Sequence, residues 1–370
     1  MMSSPFMVLK RDNDTSARIG CLDTCHGKAE TPLFMPVGTR GTVRGVKPDE
    51  LEKIGIRIVL SNAYHLYLQP GIDIVEKMGG LHSFMGWKGP ILTDSGGFQI
   101  MSLCNFSHIS DEGVTFQSHI DGSKHFLSPE KVIDIQKALG IDIIMCLDEC
   151  VSYPASYDSV KKSMELSLEW AQRSRDVSMK NTQKIFGIVQ GGVYKELREK
   201  SARELVKMDF DGYAIGGLSV GEEKKDTYDI IGHVASLLPD EMPRYAMGIG
   251  TPLDIIEAVI NGIDMMDCVL PTRNGRNGQL FTHEGKIVIK QAQYRTDDKP
   301  IDSKCSCYTC KNFSRAYVRH LYMNREILSS VLCTLHNLKF YADLFSEIRN
   351  AIKNNSLYAL KAGFEKAYGP

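Results

Sequence analysis

The stretch SPEKVIDIQKALGIDIIMCLD, residues 128–148, contains a helix pattern followed directly by a strand pattern. Ser128 is a favoured N-cap residue, Pro129 suits the first turn, and Gly140 suits the position after the last turn. Apolar residues recur between them at helical spacing. The following run, IDIIMCLD (141–148), is almost continuously apolar, which is typical of a strand buried on both faces of a parallel sheet.

The same alternation extends along most of the chain. Seven more apolar runs predict strands at 32–37, 56–61, 90–94, 184–190, 212–217, 244–250 and 263–270. Helical patterns between them cover about 159–178, 194–208, 225–238 and 252–261. Eight strands that alternate with helices favour the α/β class and a (β/α)₈ TIM barrel, with a doubly wound open sheet as the alternative.

Two segments interrupt this alternation. Residues 114–127 predict a hairpin around Asp121-Gly122, and residues 279–290 predict another around Glu284-Gly285. We therefore expect a catalytic barrel over residues 1–290 that contains both insertions. Residues 291–370 are expected to form a zinc-binding helical subdomain, with C-terminal helices packing on the barrel.

Composition indicates a globular protein, since 43% of the 370 residues are hydrophobic and 24% are charged. The N-terminus has an apolar run of only four residues, and no segment reaches membrane-spanning length. We therefore expect a cytoplasmic protein without a membrane partner. The net charge of −1 hides an asymmetry, because residues 273–370 carry 16 Lys+Arg against 8 Asp+Glu. This asymmetry favours a basic face for nucleic acid, although an ordinary solvated surface is the alternative.

Polar residues lie at the ends of the predicted strands, and three of them are carboxylates: Asp94, Asp148 and Asp267. In a (β/α)₈ barrel the C-terminal strand ends meet at one opening, where the chemistry of these enzymes takes place. A carboxylate in an apolar strand is costly unless it is paired or used. Arg273 and Arg276 follow Asp267 closely. The pattern predicts an active site at this mouth.

A metal site is predicted after the barrel, because Cys305, Cys307, Cys310 and His336 follow the pattern C-x-C-x₂-C-x₂₅-H. Three thiolates and one imidazole suit tetrahedral zinc, and a full set of four protein ligands indicates a structural site. His320 is nearer in sequence and could compete. His336 is preferred because it lies on a new helical segment, TLHNLKFYADLF, that could fold back onto the cysteines.

Taken together, these motifs resemble the bacterial tRNA-guanine transglycosylases, or queuine tRNA-ribosyltransferases. The resemblance runs from about Arg18 to the end of the chain. It is carried by the Cys₃His spacing and by ILTDSGGFQ (91–99), DIIMCLDEC (142–150), FGIVQGG (186–192), GYAIGGLSVGE (212–222) and DCVLPTRNGRNGQ (267–279). Six marks in family order make the resemblance specific.

The resemblance implies a pentosyltransferase that acts on the anticodon arm of tRNA. It exchanges guanine at the wobble position of GUN-anticodon tRNAs (Asp, Asn, His, Tyr) for 7-aminomethyl-7-deazaguanine, by double displacement through a covalent enzyme–RNA intermediate in queuosine biosynthesis. It also implies one structural zinc per chain and a homodimer. Queuine as the incoming base is one alternative. A zinc-containing barrel hydrolase is another, but His65 is the only candidate histidine for a catalytic metal.

Site residues are carried over from the same motifs. The resemblance implies that Asp267 is the nucleophile and Asp94 the general acid/base. It implies a base-binding set of Asp94, Ser95, Gly96, Gly97, Phe98, Asp148, Gln190, Gly217, Leu218 and Met247. The implied RNA-binding set is Gly248, Ile249, Gly250, Thr251, Pro252, Leu253, Asp254, Thr272, Arg273, Asn274, Gly275 and Arg276.

Two positions bear on the choice of base. Phe98 replaces the tyrosine of many bacterial relatives, which removes a hydroxyl but keeps the stacking face. Val220 stands where eukaryotic relatives that take queuine have glycine. The resemblance therefore implies a preference for the aminomethyl base.

Overall fold

The computed structural model describes residues 6–103, 106–179 and 182–369. Its strands in chain order are β1 (Phe6–Arg11), β2 (Arg18–Thr24), β3 (Gly27–Thr31), β4 (Leu33–Pro36), β5 (Val59–Asn62), β6 (Ile91–Asp94), β7 (Ser107–Ser110), β8 (Gly113–Gln117), β9 (Lys124–Leu127), β10 (Ile143–Met145), β11 (Lys184–Val189), β12 (Gly212–Ile215), β13 (Arg244–Ala246), β14 (Met265–Cys268), β15 (Gln279–Thr282) and β16 (Gly285–Val288).

The helices surround and extend this framework, and a short 3₁₀ helix at Ala292–Arg295 follows the last hairpin. In chain order they are α1 (Pro48–Ile54), α2 (Ala63–Leu68), α3 (Ile72–Lys77), α4 (Gly80–Met85), α5 (Gly97–Leu103), α6 (Pro129–Leu139), α7 (Tyr157–Asp176), α8 (Lys195–Lys207), α9 (Lys224–Ala235), α10 (Pro252–Ile260), α11 (Leu270–Arg276), α12 (Tyr308–Asn312), α13 (Arg315–Met323), α14 (Ile327–Lys353) and α15 (Leu357–Tyr368).

Eight parallel strands form a barrel, in the order β4-β14-β13-β12-β11-β10-β6-β5. The two end strands meet through a parallel bridge between Val37 and Leu60, where the Gly38 N–H donates to the Leu60 carbonyl at 2.6 Å. Residues of these strands are buried almost without exception, because helices cover the outside and side chains fill the inside. The predicted (β/α)₈ barrel is confirmed, and each predicted strand overlaps an observed one.

The structure corrects the end of the last predicted strand. Strand β14 stops at Cys268, whereas the run 263–270 was predicted to stay extended to Leu270. Instead Leu270 begins helix α11, with Pro271 in its first turn. Proline is tolerated there because its fixed φ suits a helix and no N–H partner is needed. The arginines after Asp267 therefore project from a helix.

The two predicted hairpins are present, with differences in detail. Strands β8 and β9 pair around Asp121-Gly122, but β7 adds a third strand that the sequence did not predict. Strands β15 and β16 pair with Thr282 opposite Gly285, which places the turn one residue earlier than expected. The antiparallel sheet β1-β2-β3 before the barrel was also not predicted.

Helix α14 fastens the C-terminal region to the barrel. Asn337 donates from Nδ2 to the carbonyls of Pro271 and Gln279, both at 3.0 Å, and accepts from the Phe281 N–H at 3.1 Å. One turn later the Tyr341 hydroxyl donates to the Gly250 carbonyl. The helix thus holds the loops that follow two barrel strands. The division of the chain at residue 290 stays a prediction.

Within the described residues, no helix combines the length and the apolar character needed to cross a bilayer.

Candidate active site and metal centre

Asp94 and Asp267 are brought to the same mouth of the barrel. Asp94 is the last residue of β6, and Asp267 is the penultimate residue of β14. Strands β4 and β5 lie between them in the barrel order, so the two carboxyl groups approach from different sides of the opening. Their charges interact, since Asp267 contributes to the raised pKa of Asp94. The predicted pair of carboxylates is therefore assembled.

Asp94 lies in a buried polar pocket. Asn62 Nδ2 and Gln99 Nε2 both donate to its Oδ2, the latter at 2.8 Å, and the Ala63 N–H donates to Oδ1 at 3.2 Å. Burial nevertheless raises the pKa of Asp94 to about 7, because removal from water disfavours the charged form more than these donors favour it. A carboxyl group with this pKa can both give and take a proton near neutral pH.

Asp267 has a different environment. The Tyr245 hydroxyl donates to its Oδ1 at 2.6 Å, and the Gly248 N–H donates to the same atom at 2.9 Å. Burial raises the pKa of Asp267, while these two donors favour the carboxylate. With Oδ1 fixed by two hydrogen bonds, the carboxylate is oriented, and Oδ2 accepts neither of these bonds. Such an oxygen is suited to attack an electrophilic carbon.

Asp148 forms a second polar group beside this pair. Ser95 Oγ donates to its Oδ1 at 3.0 Å, and Gln190 Nε2 donates to its Oδ2 at 2.7 Å. Burial raises the pKa of Asp148, and both donors oppose the rise. Three segments that are distant in sequence thus meet at one carboxylate. The group can accept hydrogen bonds from a planar ligand with adjacent N–H donors.

Arg198 holds the loops around Gln190 in place, and its side chain is completely buried. Its Nη1 donates to the carbonyls of Val189 and Gly216 at 2.7 and 2.8 Å, and its Nε donates to the Gly192 carbonyl at 2.8 Å. Arg198 therefore fixes the ends of β11 and β12 relative to each other. The sequence offered no signal for this role, because the residue is one cation in a charged helix.

Glycine is required at position 217. Gly217 has φ +63°, and a Cβ there would lie 2.4 Å from Gln190 Oε1. Its backbone therefore approaches the amide that contacts Asp148. Any larger residue would displace Gln190.

A cavity of about 160 Å³ adjoins this group, lined in part by Gln190, Gly217, Val220 and Glu222. Glu222 accepts hydrogen bonds from the N–H groups of Ser219 at 2.5 Å and Val220 at 3.0 Å. These contacts orient the peptide that carries the Leu218 carbonyl.

Phe98 and Met247 lie at the rim. The Phe98 ring is 53% exposed in α5, and Met247 is partly buried after β13. An exposed aromatic ring at the mouth is available to stack on a planar ligand. Their pairing around a base remains a prediction.

The two predicted RNA-binding segments lie beside the mouth. Residues 248–251 connect β13 to α10, and residues 252–254 form the first turn of that helix. Thr272, Arg273, Asn274, Gly275 and Arg276 belong to α11. Arg273 is exposed and Arg276 is partly buried. Thr272 and Gly275 are buried, and Gly275 packs against the backbone of α14. Within α11, Arg273, Asn274 and Arg276 are therefore the residues available for direct contact with RNA.

Cys305, Cys307, Cys310 and His336 converge in the C-terminal region, with their ligand atoms within 4.8 Å of one another. The Cys310 and Cys307 sulfurs lie 3.3 and 3.7 Å from His336 Nδ1. His336 Nε2 contacts the Phe281 carbonyl at 2.8 Å, an arrangement that leaves Nδ1 free for a metal. The cluster could hold a metal ion, and its donor set fits zinc.

Comparisons with known proteins point the same way. Residues 12–370 match the family described as Queuine tRNA-ribosyltransferase. A queuine tRNA-ribosyltransferase of Thermoanaerobacter sp. (strain X514) is 56% identical over 371 residues, covering 100% of this chain and 99% of that protein. The one from Solidesulfovibrio magneticus is 54% identical over 369 residues, covering 99% of each.

A (β/α)₈ barrel with an oriented carboxylate and a protonatable one at its mouth suits displacement of a group from a sugar carbon, and the family match identifies the enzyme class as pentosyltransferase. Because the match covers nearly the whole chain, the protein belongs to the queuine tRNA-ribosyltransferase family. Members of this family are tRNA-guanine transglycosylases. The resemblance and the enzyme class predicted from the motifs are thereby confirmed.

Three side chains that contact the carboxylates were not predicted as site residues: Asn62, Gln99 and Tyr245. Asn62 directly follows a predicted strand, and this polar residue at a strand end could have been included in the site. Tyr245 lies inside the apolar run 244–250, where an aromatic residue gives no sign of a polar contact. Among the described residues, two groups of side chains could hold a metal ion, and neither includes His65. The alternative of a zinc-containing barrel hydrolase therefore has no candidate metal site at the mouth.

Proposed function

We propose that this protein exchanges guanine at the wobble position of GUN-anticodon tRNAs (Asp, Asn, His, Tyr) for 7-aminomethyl-7-deazaguanine. The proposal rests on the different environments of the two carboxyl groups, since Asp267 is oriented by two donors and Asp94 has a pKa of about 7. Queuine is the alternative base. Membership of the family supports tRNA as the partner.

The chemistry consists of two displacements at one ribose carbon. Asp267 Oδ2 attacks the anomeric carbon, the bond from this carbon to guanine breaks, and Asp94 donates its proton to the departing base. Asp94 then takes a proton from the incoming deazaguanine, whose nitrogen attacks the same carbon and releases Asp267. Each displacement inverts the carbon, so its configuration is retained overall.

Base recognition would use the groups beside the carboxylates. Asp148 would accept hydrogen bonds from the amino group and the ring N–H of guanine. Gln190 and the Gly217 N–H would donate hydrogen bonds to the carbonyl oxygen of guanine. Burial strengthens these contacts, because the competing water is excluded. The remaining members of the proposed base-binding set are Asp94, Ser95, Gly96, Gly97, Phe98, Leu218 and Met247.

Access to the ribose requires the target nucleotide to leave the stack of the anticodon loop. Arg273 and Arg276 would hold neighbouring phosphates from α11, and the basic C-terminal third would attract the rest of the arm. We further propose zinc as the occupant of the Cys₃His cluster. A homodimer and a cytoplasmic location stay predictions.

A direct test uses tRNA carrying a GUN anticodon and radiolabelled guanine. A transglycosylase incorporates the label into this tRNA and not into the same tRNA with adenine at the wobble position. Release of base without incorporation would indicate a hydrolase. Binding without either reaction would indicate a non-catalytic RNA-binding protein and would contradict the proposal.

Asn62→Ala is expected to shift the pH dependence of guanine release to higher pH. The Asn62 amide favours the carboxylate form of Asp94, so its loss raises the pKa of Asp94 above about 7. The first displacement needs Asp94 protonated, so its rate falls as pH rises through this pKa. Single-turnover release of labelled guanine, measured across the pH range around neutrality, gives the midpoint. An unchanged midpoint would argue against Asp94 as the proton donor.

Val220→Gly is expected to improve the use of queuine relative to the aminomethyl base. Val220 lines the cavity beside Gln190 and Gly217, where its side chain occupies space that the cyclopentenediol of queuine needs. Removing such a side chain is worth about 1–3 kcal/mol, or roughly 10–200-fold in kcat/KM. Competition between the two bases measures the ratio. Equal use of both bases by the wild-type protein would contradict the steric argument.

A further inference from the structure

A second group of metal-ligating side chains lies at the opposite end of the barrel. Asp142 immediately precedes β10, whereas Asp148 follows that strand at the catalytic mouth. Cys25 and His26 form the two-residue turn between β2 and β3, since Thr24 pairs with Gly27. His82 comes from α4. Three separate segments thus converge on one buried carboxylate.

The donor atoms of this group are close together. His26 Nδ1 lies 2.8 Å from Asp142 Oδ1, and the Cys25 sulfur lies 3.1 Å from the same oxygen and 3.3 Å from His26 Nδ1. His82 Nε2 lies 3.1 Å from Asp142 Oδ2. The His26 and His82 rings are stacked, with centroids 3.6 Å apart and planes at 17°. Both imidazoles therefore present a nitrogen to the same carboxylate.

These separations fit a coordination shell. Zinc bonds of about 2.0–2.3 Å in a tetrahedron place adjacent ligand atoms roughly 3.3–3.7 Å apart, so a small outward movement would admit the ion. His82 stays outside the set of ligands, because its ring is stacked on that of His26 and its Nε2 faces the second carboxylate oxygen, Asp142 Oδ2, at 3.1 Å. The Ile91 N–H donates to Asp142 Oδ2 at 2.9 Å and supplies the outer hydrogen bond that ligating carboxylates usually have.

We propose that Cys25, His26 and Asp142, whose ligand atoms lie within 4.8 Å of one another, form a second zinc site, with solvent in the fourth position. The thiol would lose its proton to solvent on binding, while the His26 imidazole binds as a neutral ligand. The ion would join the β2–β3 turn to the base of the barrel, far from the catalytic mouth. Cys25 and His26 are exposed, so the ion can enter from solvent and the site exchanges more readily than the buried Cys₃His cluster.

The first test is the zinc content of the full-length protein after equilibration with zinc and removal of the excess. Two ions per chain are expected for the wild type, and one for Cys25→Ser and for His26→Gln. Cys21→Ser is the matched control, because Cys21 lies on β2 as a free thiol outside the cluster. One ion in the wild type at zinc excess would overturn the proposal, as would two ions in both cluster variants.

A second measurement does not depend on how the variants fold. Alkylation of Cys25 in the wild-type protein is followed by mass spectrometry with and without added zinc. Zinc at about ten times its dissociation constant should slow alkylation roughly tenfold, because only the free thiol reacts. Cys21 provides the internal control for general effects of the ion. Equal rates at Cys25 under both conditions would exclude the site.

Discussion

Asp267→Asn is expected to lower guanine exchange by roughly 10⁴-fold or more, the scale seen when a nucleophile is removed. The amide cannot attack the ribose carbon, although it keeps the shape of the side chain and can still accept from Tyr245. Binding of tRNA should change little, because the proposed phosphate contacts of Arg273 and Arg276 belong to α11 and are not altered by the substitution. The variant should fold at least as stably, since a buried charge is removed. Exchange of labelled guanine and trapping of the enzyme–RNA adduct provide the measurements.

Asp211→Asn is the matched control for this variant. Asp211 precedes β12 at the other end of the barrel, where its Oδ2 accepts from the Ile185 N–H at 2.9 Å. The substitution removes a carboxylate of equal size without touching the mouth, so exchange should stay at the wild-type rate. A normal covalent adduct in Asp267→Asn would show that another group attacks the ribose.

Cys310→Ser is expected to release the zinc that we propose for the Cys₃His cluster and to unfold the region around it. Binding energy at a structural zinc site is folding energy, with apparent values of about 10–16 kcal/mol in small zinc modules. Hydrogen exchange should therefore lose protection in α12 and in the first half of α14. The barrel strands should keep their protection from hydrogen exchange, since their pairing does not involve the metal.

Cys333→Ala is the control for the zinc variant. Cys333 is a buried thiol of α14 that packs in an apolar cluster with Leu280 and Val318, outside the set of ligands. Its loss removes one sulfur from the same helix, and zinc should remain bound. Retention of this zinc by Cys310→Ser, with unchanged protection of α14, would contradict the assignment of the ligands.

The barrel could be predicted because strands buried on both faces leave a strong sequence pattern. The run 141–148 has few polar positions, and both neighbours of β10 in the sheet show the same feature. Strand β1, in contrast, has mostly exposed residues. Strands β2 and β3 meet at a Cys-His turn that is not a typical hairpin sequence. Sheets at the surface therefore gave weaker signals than the centre of the fold.

The candidate site could be predicted where a polar functional residue lies in an apolar stretch of the sequence. A carboxylate in an apolar run stands out, and Asp94, Asp148 and Asp267 were identified for this reason. Arg198 could not be identified in this way, because a buried cation satisfied by carbonyl oxygens depends on loops that only the fold brings together. Helix α11 was missed since a segment with proline, glycine and arginine has no helical periodicity.

Helix α14 is synthesised late, so it determines when the nascent chain can complete its fold. It begins at Ile327, after every barrel strand and all three mouth carboxylates. Its Tyr341 and Phe345 rings lie 4.8 and 6.1 Å from the Phe34 ring of the first barrel strand. A nascent chain without α14 therefore carries the chemical groups but leaves this apolar surface exposed. Such incomplete chains are expected to aggregate or be degraded rather than act on RNA.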